Sequence, residues 1–136
     1  MKSLVLGLAT MMFSFQVFAV NNITLGSYSA KNKDGVERVS LTLGAGGKIP
    51  ALHLNTTIGQ GNCTGTYSLA GDMLKASVTC DSTGIHVFLG SIGSAIEIAI
   101  NVSGASNAQM ASPAGARVSF NVNDGAFEDE YALFRR

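Results

Sequence analysis

Hydrophobic and polar residues alternate in short runs along the chain that follows residue 20. In the clearest run, Ala95–Ser103, the apolar residues Ile96, Ile98 and Ile100 are each separated by one residue. A period of two residues places successive side chains on opposite faces of a β-strand, so such a run buries one face and exposes the other. The pattern therefore predicts an all-β protein.

The predicted strands are short and are separated by the Gly, Asn and Asp residues that mark turns. They are Ile23–Ala30, Val36–Leu43, Ile49–Asn55, Cys63–Ala70, Met73–Cys80, Ile85–Leu89, Ala95–Ser103, Arg117–Val122 and Ala126–Phe134. About eight short strands at regular spacing are typical of a small antiparallel barrel or sandwich. Consecutive hairpins favour a meander, and a meander of eight strands closes as an up-and-down barrel. Pro50 indicates an edge or entry position for the third strand, because proline cannot donate a backbone hydrogen bond.

The segment from Cys63 to Cys80 predicts a hairpin with a two-residue turn at Gly71 and Asp72. Glycine at the first turn position suits a type II′ turn, whose twist matches that of the flanking strands. Counting outward from the turn makes Cys63 and Cys80 a non-hydrogen-bonded pair, which is the closer kind of pair and suits a disulfide bond. The same register places one set of residues on a single face: Tyr67, Leu69, Leu74, Ala76, Val78 and both cysteines.

Residues 1–19 have the three parts of a secretory signal peptide. Lys2 provides the positive start, Leu4–Phe18 the apolar centre, and Val17-Phe18-Ala19 a small-residue cleavage site. The apolar run is short for a membrane span of about 20 residues, and Gln16 interrupts it. We therefore expect residues 20–136 to form one exported domain that does not span a membrane after cleavage. The expected disulfide agrees with a periplasmic or extracellular location.

The composition excludes nucleic acid as an expected partner. Nine basic and nine acidic residues give a net charge of zero, so there is no basic excess to attract a phosphate backbone. The sequence contains no tryptophan, and Phe88 and Tyr28 are the candidates for an outer face, where a stacking platform would lie. The default interpretation for both rings is a packing role against a neighbouring loop. Arg135 and Arg136 are expected to form a solvated tail.

No motif indicates catalysis, a metal site or a cofactor. His53 and His86 lie on different predicted strands without an H-x-H or H-x-x-x-H spacing, and an enzyme would need one of them beside a carboxylate in a pocket. The G-x-S-x-G motif of hydrolases is absent. The acidic run Glu128-Asp-Glu130 offers too few convergent oxygens for calcium, so a charged edge strand is the favoured interpretation. We therefore expect a non-enzymatic protein.

The longest stretch without alternation is Gly104–Ala116. Within it, Ser106–Ser112 is predicted to form one or two helical turns that Ser106 or Asn107 caps and Pro113 ends. Long loops in compact domains often carry function, although this loop would also suit a simple cover for one end of the barrel. The candidate binding residues in the loop are Ser106, Asn107, Gln109 and Met110.

The pattern G-x-G-x-C-x-G-x-Y…G-x-x-L…C between Gly59 and Cys80 resembles segments of small bacterial envelope β domains such as the META type. The spacing departs from that of the family. The resemblance covers this segment alone and implies no activity or site residue for the chain.

These observations predict a small exported binding module, whose partner is a protein or a small apolar ligand. The bulky residues Ile96, Ile98 and Leu74 favour a barrel that is filled by side chains and binds through its loops, especially 104–116 and 44–48. The alternative is a structural subunit of the envelope or of a surface fibre, completed by exchange of an N-terminal strand.

Overall fold

The computed structural model describes residues 21–56, 59–81, 95–123 and 127–136, which form a closed antiparallel barrel of eight strands in sequence order. The strands are β1 (Gly26–Lys31), β2 (Glu37–Gly44), β3 (Lys48–Thr56), β4 (Gly59–Ala70), β5 (Met73–Cys80), β6 (Ile96–Asn101), β7 (Ala116–Val122) and β8 (Phe127–Arg135). Pairing of β1 with β8 closes the sheet, so the predicted meander barrel is confirmed and the sandwich is excluded.

The helical elements of the described residues are short: a 3-10 turn at Ala45–Gly47 and helix α1 at Asn107–Ala111. None of the helices in the described ranges is long and apolar enough to cross a membrane. The predicted signal peptide lies outside these ranges, as does the predicted strand Ile85–Leu89 with His86 and Phe88.

The hairpin of β4 and β5 has the register that its turn predicts. Ala70 pairs with Met73, and Cys63 pairs with Cys80, to which it is joined by a disulfide bond. Gly71 has a φ of 62°, a left-handed conformation that glycine adopts at no steric cost. A single tight turn therefore places the two cysteines opposite each other.

Side chains from all eight strands fill the barrel interior and form one contiguous hydrophobic core. The largest fully buried side chains include Tyr28, Leu43, Ile49, Leu74 and Ile96. Burial of a large apolar side chain contributes about 1.5–3 kcal/mol, so this core provides the main favourable term for folding. The bulky inward residues therefore pack against one another, as the sequence predicts for a filled barrel.

The N-terminal segment and the loop around α1 cover one end of the barrel. The backbone N–H of Asn22 donates to the carbonyl oxygen of Ala105 at 2.8 Å, and Asn22 Oδ1 accepts from the N–H of Asn107 at 2.7 Å. Ile23, Ala105 and Met110 are buried and belong to the core. Part of the long loop thus has a structural role.

Tyr28 differs from expectation, and the last two residues do so in part. The sequence makes Tyr28 a candidate for an outer face, but this residue is only 1% exposed and lies in the core. The alternation that starts at Ile23 is interrupted at Gly26, whose φ is 138°, and β1 begins only there. Arg135 and Arg136 are exposed, as a solvated tail predicts. Their guanidinium groups nevertheless bond to the barrel: Arg135 Nη1 donates to Tyr28 Oη at 2.6 Å, and Arg136 pairs with Glu37. The tail is therefore solvated but not free.

Pro50 lies near the start of β3, as expected, but β3 is not an edge strand because it pairs with both β2 and β4. The pairing of β3 with β4 shifts between Ile49 and Leu52, so that Pro50 and Ala51 together oppose Thr64. A residue in a bulge is not required to donate to the ladder, which allows proline inside a central strand.

Replacement of Ser29 by alanine should leave the stability unchanged or raise it by up to about 1 kcal/mol. Ser29 is 5% exposed and its Oγ has no hydrogen-bond partner among the described residues, so these residues leave the desolvated hydroxyl uncompensated. Chemical denaturation measures the effect. Ser40→Ala on the neighbouring strand is the matched control, since Ser40 Oγ accepts from Arg136 and its loss should lower the stability. A Ser29→Ala variant more than about 1 kcal/mol less stable would contradict this account.

Candidate binding site

A polar groove of about 560 Å³ lies on the outside of the barrel, where β1, β8 and the start of β7 come together; we call it the β1–β8 groove. The lining residues are Lys31, Asn32, Lys33, Gln109, Ala114, Gly115, Arg117, Asp129, Glu130, Tyr131 and Ala132. Three of these residues are basic and two are acidic, so the groove carries both signs of charge.

The turn between β1 and β2 holds the lysines of the groove in place. Asn32 Oδ1 accepts from the backbone N–H groups of Asp34 and Val36 at 2.9 and 3.0 Å. The N–H of Gly35, whose φ is 78°, donates to the carbonyl oxygen of Asn32. These bonds close the Asn-Lys-Asp-Gly turn, as asparagine and glycine commonly do. The turn therefore presents the exposed Lys33 from a fixed backbone.

Helix α1 presents Gln109 to the groove. Ser106 caps the helix, because its Oγ accepts from the N–H of Gln109 at 3.2 Å, and the chain leaves the helix at Ser112. Met110 is 2% exposed and anchors the helix on the core, while Asn107 and Gln109 are exposed. Of the four candidate binding residues, Gln109 is the one that lines the groove.

The opposite wall of the groove is formed by β7 and β8. Arg117 Nη1 lies 2.8 Å from Glu130 Oε1, and both side chains are largely exposed. Arg117 lies between the buried residues Ala116 and Val118, and the exposed Glu130 precedes the buried Tyr131, which places both charged side chains on the outer surface. Glu128 and Asn121 form a second cross-strand pair at 2.8 Å. The acidic run thus faces outward through Glu128 and Glu130, and both carboxylates have partners.

The aromatic ring of Phe134 packs against two residues that line the groove, Gly115 and Lys31. The Phe134 ring lies so close to Gly115 that an added Cβ would be 2.7 Å from Phe134 Cζ, and the φ of Gly115 is 72°. Lys31 Nζ lies 5.2 Å from the centroid of the same ring, which is the range of a cation–π interaction. The ring therefore positions the Lys31 ammonium group at the edge of the groove.

Tyr131 is the core residue that also lines the groove. Burial raises the pKa of the Tyr131 phenol, the nearby Asp129 carboxylate raises it further, and the Arg38 guanidinium lowers it. The phenol is therefore neutral at pH 7 and keeps its hydrogen-bond donor.

A second groove of about 610 Å³, which we call the β3–β5 groove, crosses β3, β4 and β5 and is lined by His53 and Asp81 among other residues. Its polar groups are largely bonded to one another. His53 Nδ1 is 2.9 Å from Asn62 Oδ1 and Nε2 is 3.3 Å from Gln60 Oε1, while Asp81 Oδ1 accepts from the N–H of Asn62. Within the described residues the histidine therefore forms neither the bond to a carboxylate nor the bond to a hydroxyl that a catalytic triad needs.

The described residues include no group of three or more His, Cys, Asp and Glu side chains close enough to hold a metal ion. The sequence named Gln109 as a candidate but not Lys31, Lys33 or Arg117. The two lysines lie far from Arg117 in the chain and approach it only because β8 pairs with both β1 and β7. A periodicity of two residues shows that Arg117 faces outward but does not show which strand lies beside it.

Comparison with known proteins identifies no relative: no protein-family model matches the chain, and no curated protein or solved structure gives a significant match. The function is therefore argued from the two grooves and the fold.

Proposed function

We propose that this protein is an exported, non-enzymatic module that binds a partner protein at the β1–β8 groove. The observation that carries the proposal is the convergence of Lys31, Lys33 and Arg117 with Gln109 from the predicted binding loop. Proteins commonly bind their partners through exposed polar residues on loops that a rigid scaffold holds in place. The β3–β5 groove is a weaker candidate, because its histidine, amide and carboxylate groups are already bonded to one another.

The packing of the interior supports a surface site over an internal one. Inward residues such as Leu74, Ile96 and Ile98 are at most 4% exposed and are in contact within the core. A small apolar ligand would have to displace side chains that stabilise the fold. A partner protein at an outer groove imposes no such cost.

One feature supports export, and a second is compatible with the predicted cleavage. The disulfide between Cys63 and Cys80 is consistent with an oxidising compartment. Asn21, two residues after the predicted cleavage site, already contributes to the fold, because its Nδ2 donates to the carbonyl oxygen of Gly71 and to Asp72 Oδ1. A domain that begins at residue 20 would therefore retain all the described contacts.

The alternative, a fibre subunit completed by strand exchange, would need an open position in the sheet. Each of the eight described strands is hydrogen-bonded to a neighbour on both sides, including β1 to both β2 and β8. Insertion of a foreign strand would first have to break one of these ladders, so the binding module is the better-supported proposal.

We expect the double variant Lys33→Ala/Gln109→Ala to lose the partner that wild-type protein carries. Both side chains are exposed, so their removal should not alter the fold. Native mass spectrometry of oxidised protein, purified gently from the exported fraction of producing cells, measures the bound mass. Loss of two contacts should weaken binding about tenfold or more, since a factor of ten corresponds to about 1.4 kcal/mol.

The matched control is Lys75→Ala, which removes an exposed lysine from β5, well away from the groove lining. This variant should carry the same bound mass as the wild type. A wild-type protein that carries no partner, or a double variant that retains its partner, would contradict the proposal.

A further inference from the structure

We infer that the β1–β8 groove recognises an acidic peptide segment, with the partner's Asp or Glu carboxylates bound by Arg117, Lys33 and Lys31. The inference rests on the proposed function and names the chemistry of the partner. Both kinds of group that line the groove point to a peptide: cations for its carboxylates, and carboxylates and an amide for its backbone N–H groups.

Arg117 already binds a carboxylate in this position. Its Nη1 lies 2.8 Å from Glu130 Oε1, and the two side chains are 81% and 60% exposed. The planar guanidinium group has further N–H donors in a geometry that matches a second carboxylate. An exposed ion pair of this kind contributes little to stability, so a partner carboxylate can join or replace Glu130 at small cost.

Lys31 and Lys33 provide further positive charges on the side of the groove opposite Arg117. The ring of Phe134 limits the positions of Lys31 Nζ, which reduces the side-chain entropy lost when an anion binds. Lys33 is exposed on a turn whose backbone is fixed by Asn32. Neither lysine forms a salt bridge within the described residues. Their ammonium groups therefore remain available for a partner carboxylate.

Asp129 and Glu130 restrict which anions fit. They lie in the same groove as the cations and leave a net charge of one positive unit among its five charged side chains. A dense polyanion would be repelled by these carboxylates, whereas spaced carboxylates on a peptide can approach the cations alone. The mixed charge thus favours an acidic peptide over a polyphosphate.

The probe for this inference is the dye-labelled peptide acetyl-Glu-Gly-Glu-Gly-Glu-amide. The neutral control is the same peptide with each Glu replaced by Gln. Fluorescence anisotropy with the oxidised protein gives the two dissociation constants. The Glu peptide should bind at least about tenfold more tightly than the Gln peptide. Added salt should weaken binding of the Glu peptide, because ions screen the attraction between exposed charges. Short-chain polyphosphate should compete poorly.

Two variants separate a direct contact from a general charge effect, and a third tests the competition of Glu130 for Arg117. Lys33→Gln/Arg117→Gln should weaken binding of the Glu peptide at least about tenfold, and Lys75→Gln should leave it unchanged. Glu130→Gln should strengthen binding, because it removes the carboxylate that competes for Arg117. A merely structural role for these residues would not produce this gain.

Equal binding of the two peptides, no binding of either, or wild-type affinity in Lys33→Gln/Arg117→Gln would overturn the acidic-peptide inference. In that case a native bound mass that is lost in Lys33→Ala/Gln109→Ala would still support the groove as the binding site. If that groove-dependent mass is also absent, both the inference and the proposed function fail.

Discussion

Replacement of Gly65 by alanine should strongly destabilise the barrel. A Cβ atom at this position would overlap the carbonyl oxygen of Ser77 and lie 2.7 Å from Val78 Cα, both of which belong to the backbone of the paired strand β5. Flexible side chains can move away from such a clash, but a hydrogen-bonded backbone cannot do so without breaking its ladder. We expect a loss of about 4 kcal/mol or more, which is a large part of the roughly 5–15 kcal/mol that stabilises a small domain.

The matched control for this prediction is Gly104→Ala. The nearest atom to a Cβ at Gly104 is the carbonyl oxygen of Arg117, at 3.4 Å, and its φ is not in the left-handed region. This variant should remain within about 1 kcal/mol of the wild type in chemical denaturation, because the added methyl group finds space. A Gly65→Ala protein with wild-type stability would show that β4 and β5 do not pair as closely as described.

Removal of the disulfide should produce the second large effect. The double variant Cys63→Ala/Cys80→Ala should lose about 3 kcal/mol of unfolding free energy, because the bond restricts the unfolded chain over a separation of 17 residues. Cys63 is 1% exposed, so its replacement by the smaller alanine removes some core packing as well. Denaturation of the oxidised wild type and of the variant measures the difference.

Treatment with a reductant distinguishes the bond from the packing. Reduction of the wild type should lower its stability by most of the same amount, while the alanine variant should not respond. If the oxidised and reduced wild-type proteins unfold at the same denaturant concentration, the disulfide does not stabilise this fold.

Local rules predict the central hairpin well. The turn at Gly71 and Asp72 sets the register, and counting residues outward pairs Cys63 with Cys80 as the structure does. Short-range information is sufficient here because the turn type fixes the pairing of every residue that follows. Ser106 likewise caps α1 as predicted, through a bond to a residue three positions away.

Features that depend on neighbouring strands were not visible in the sequence. Tyr28 lies inside the barrel because β1 begins at Gly26, and Pro50 is accommodated in a central strand by a bulge opposite Thr64. Arg135 binds Tyr28 across a sequence separation of 107 residues. An alternating pattern shows which residues share a face but not where a bulge changes the register.

The same limitation applies to the candidate site. The length of its loop made Gln109 a candidate, but the proposed groove also includes Lys31 and Arg117, and these two residues lie on β1 and β7, on either side of β8. Closure of the barrel brings these strands together; the meander predicts this closure, but no local pattern gives the register in which the first strand pairs with the last. The groove could therefore be recognised only from the folded chain.

The most direct test of the central claim is a map of where the partner contacts the barrel. Oxidised, ¹⁵N-labelled protein should be titrated with its own exported fraction, and the backbone amide resonances followed by NMR. The account predicts changes confined to the β1–β2 turn around Lys33, to Gln109 and to the strands beside Arg117, with none near Lys75 on β5. Changes centred on the β3–β5 groove around His53, or spread through the buried core, would contradict a binding site at the β1–β8 groove.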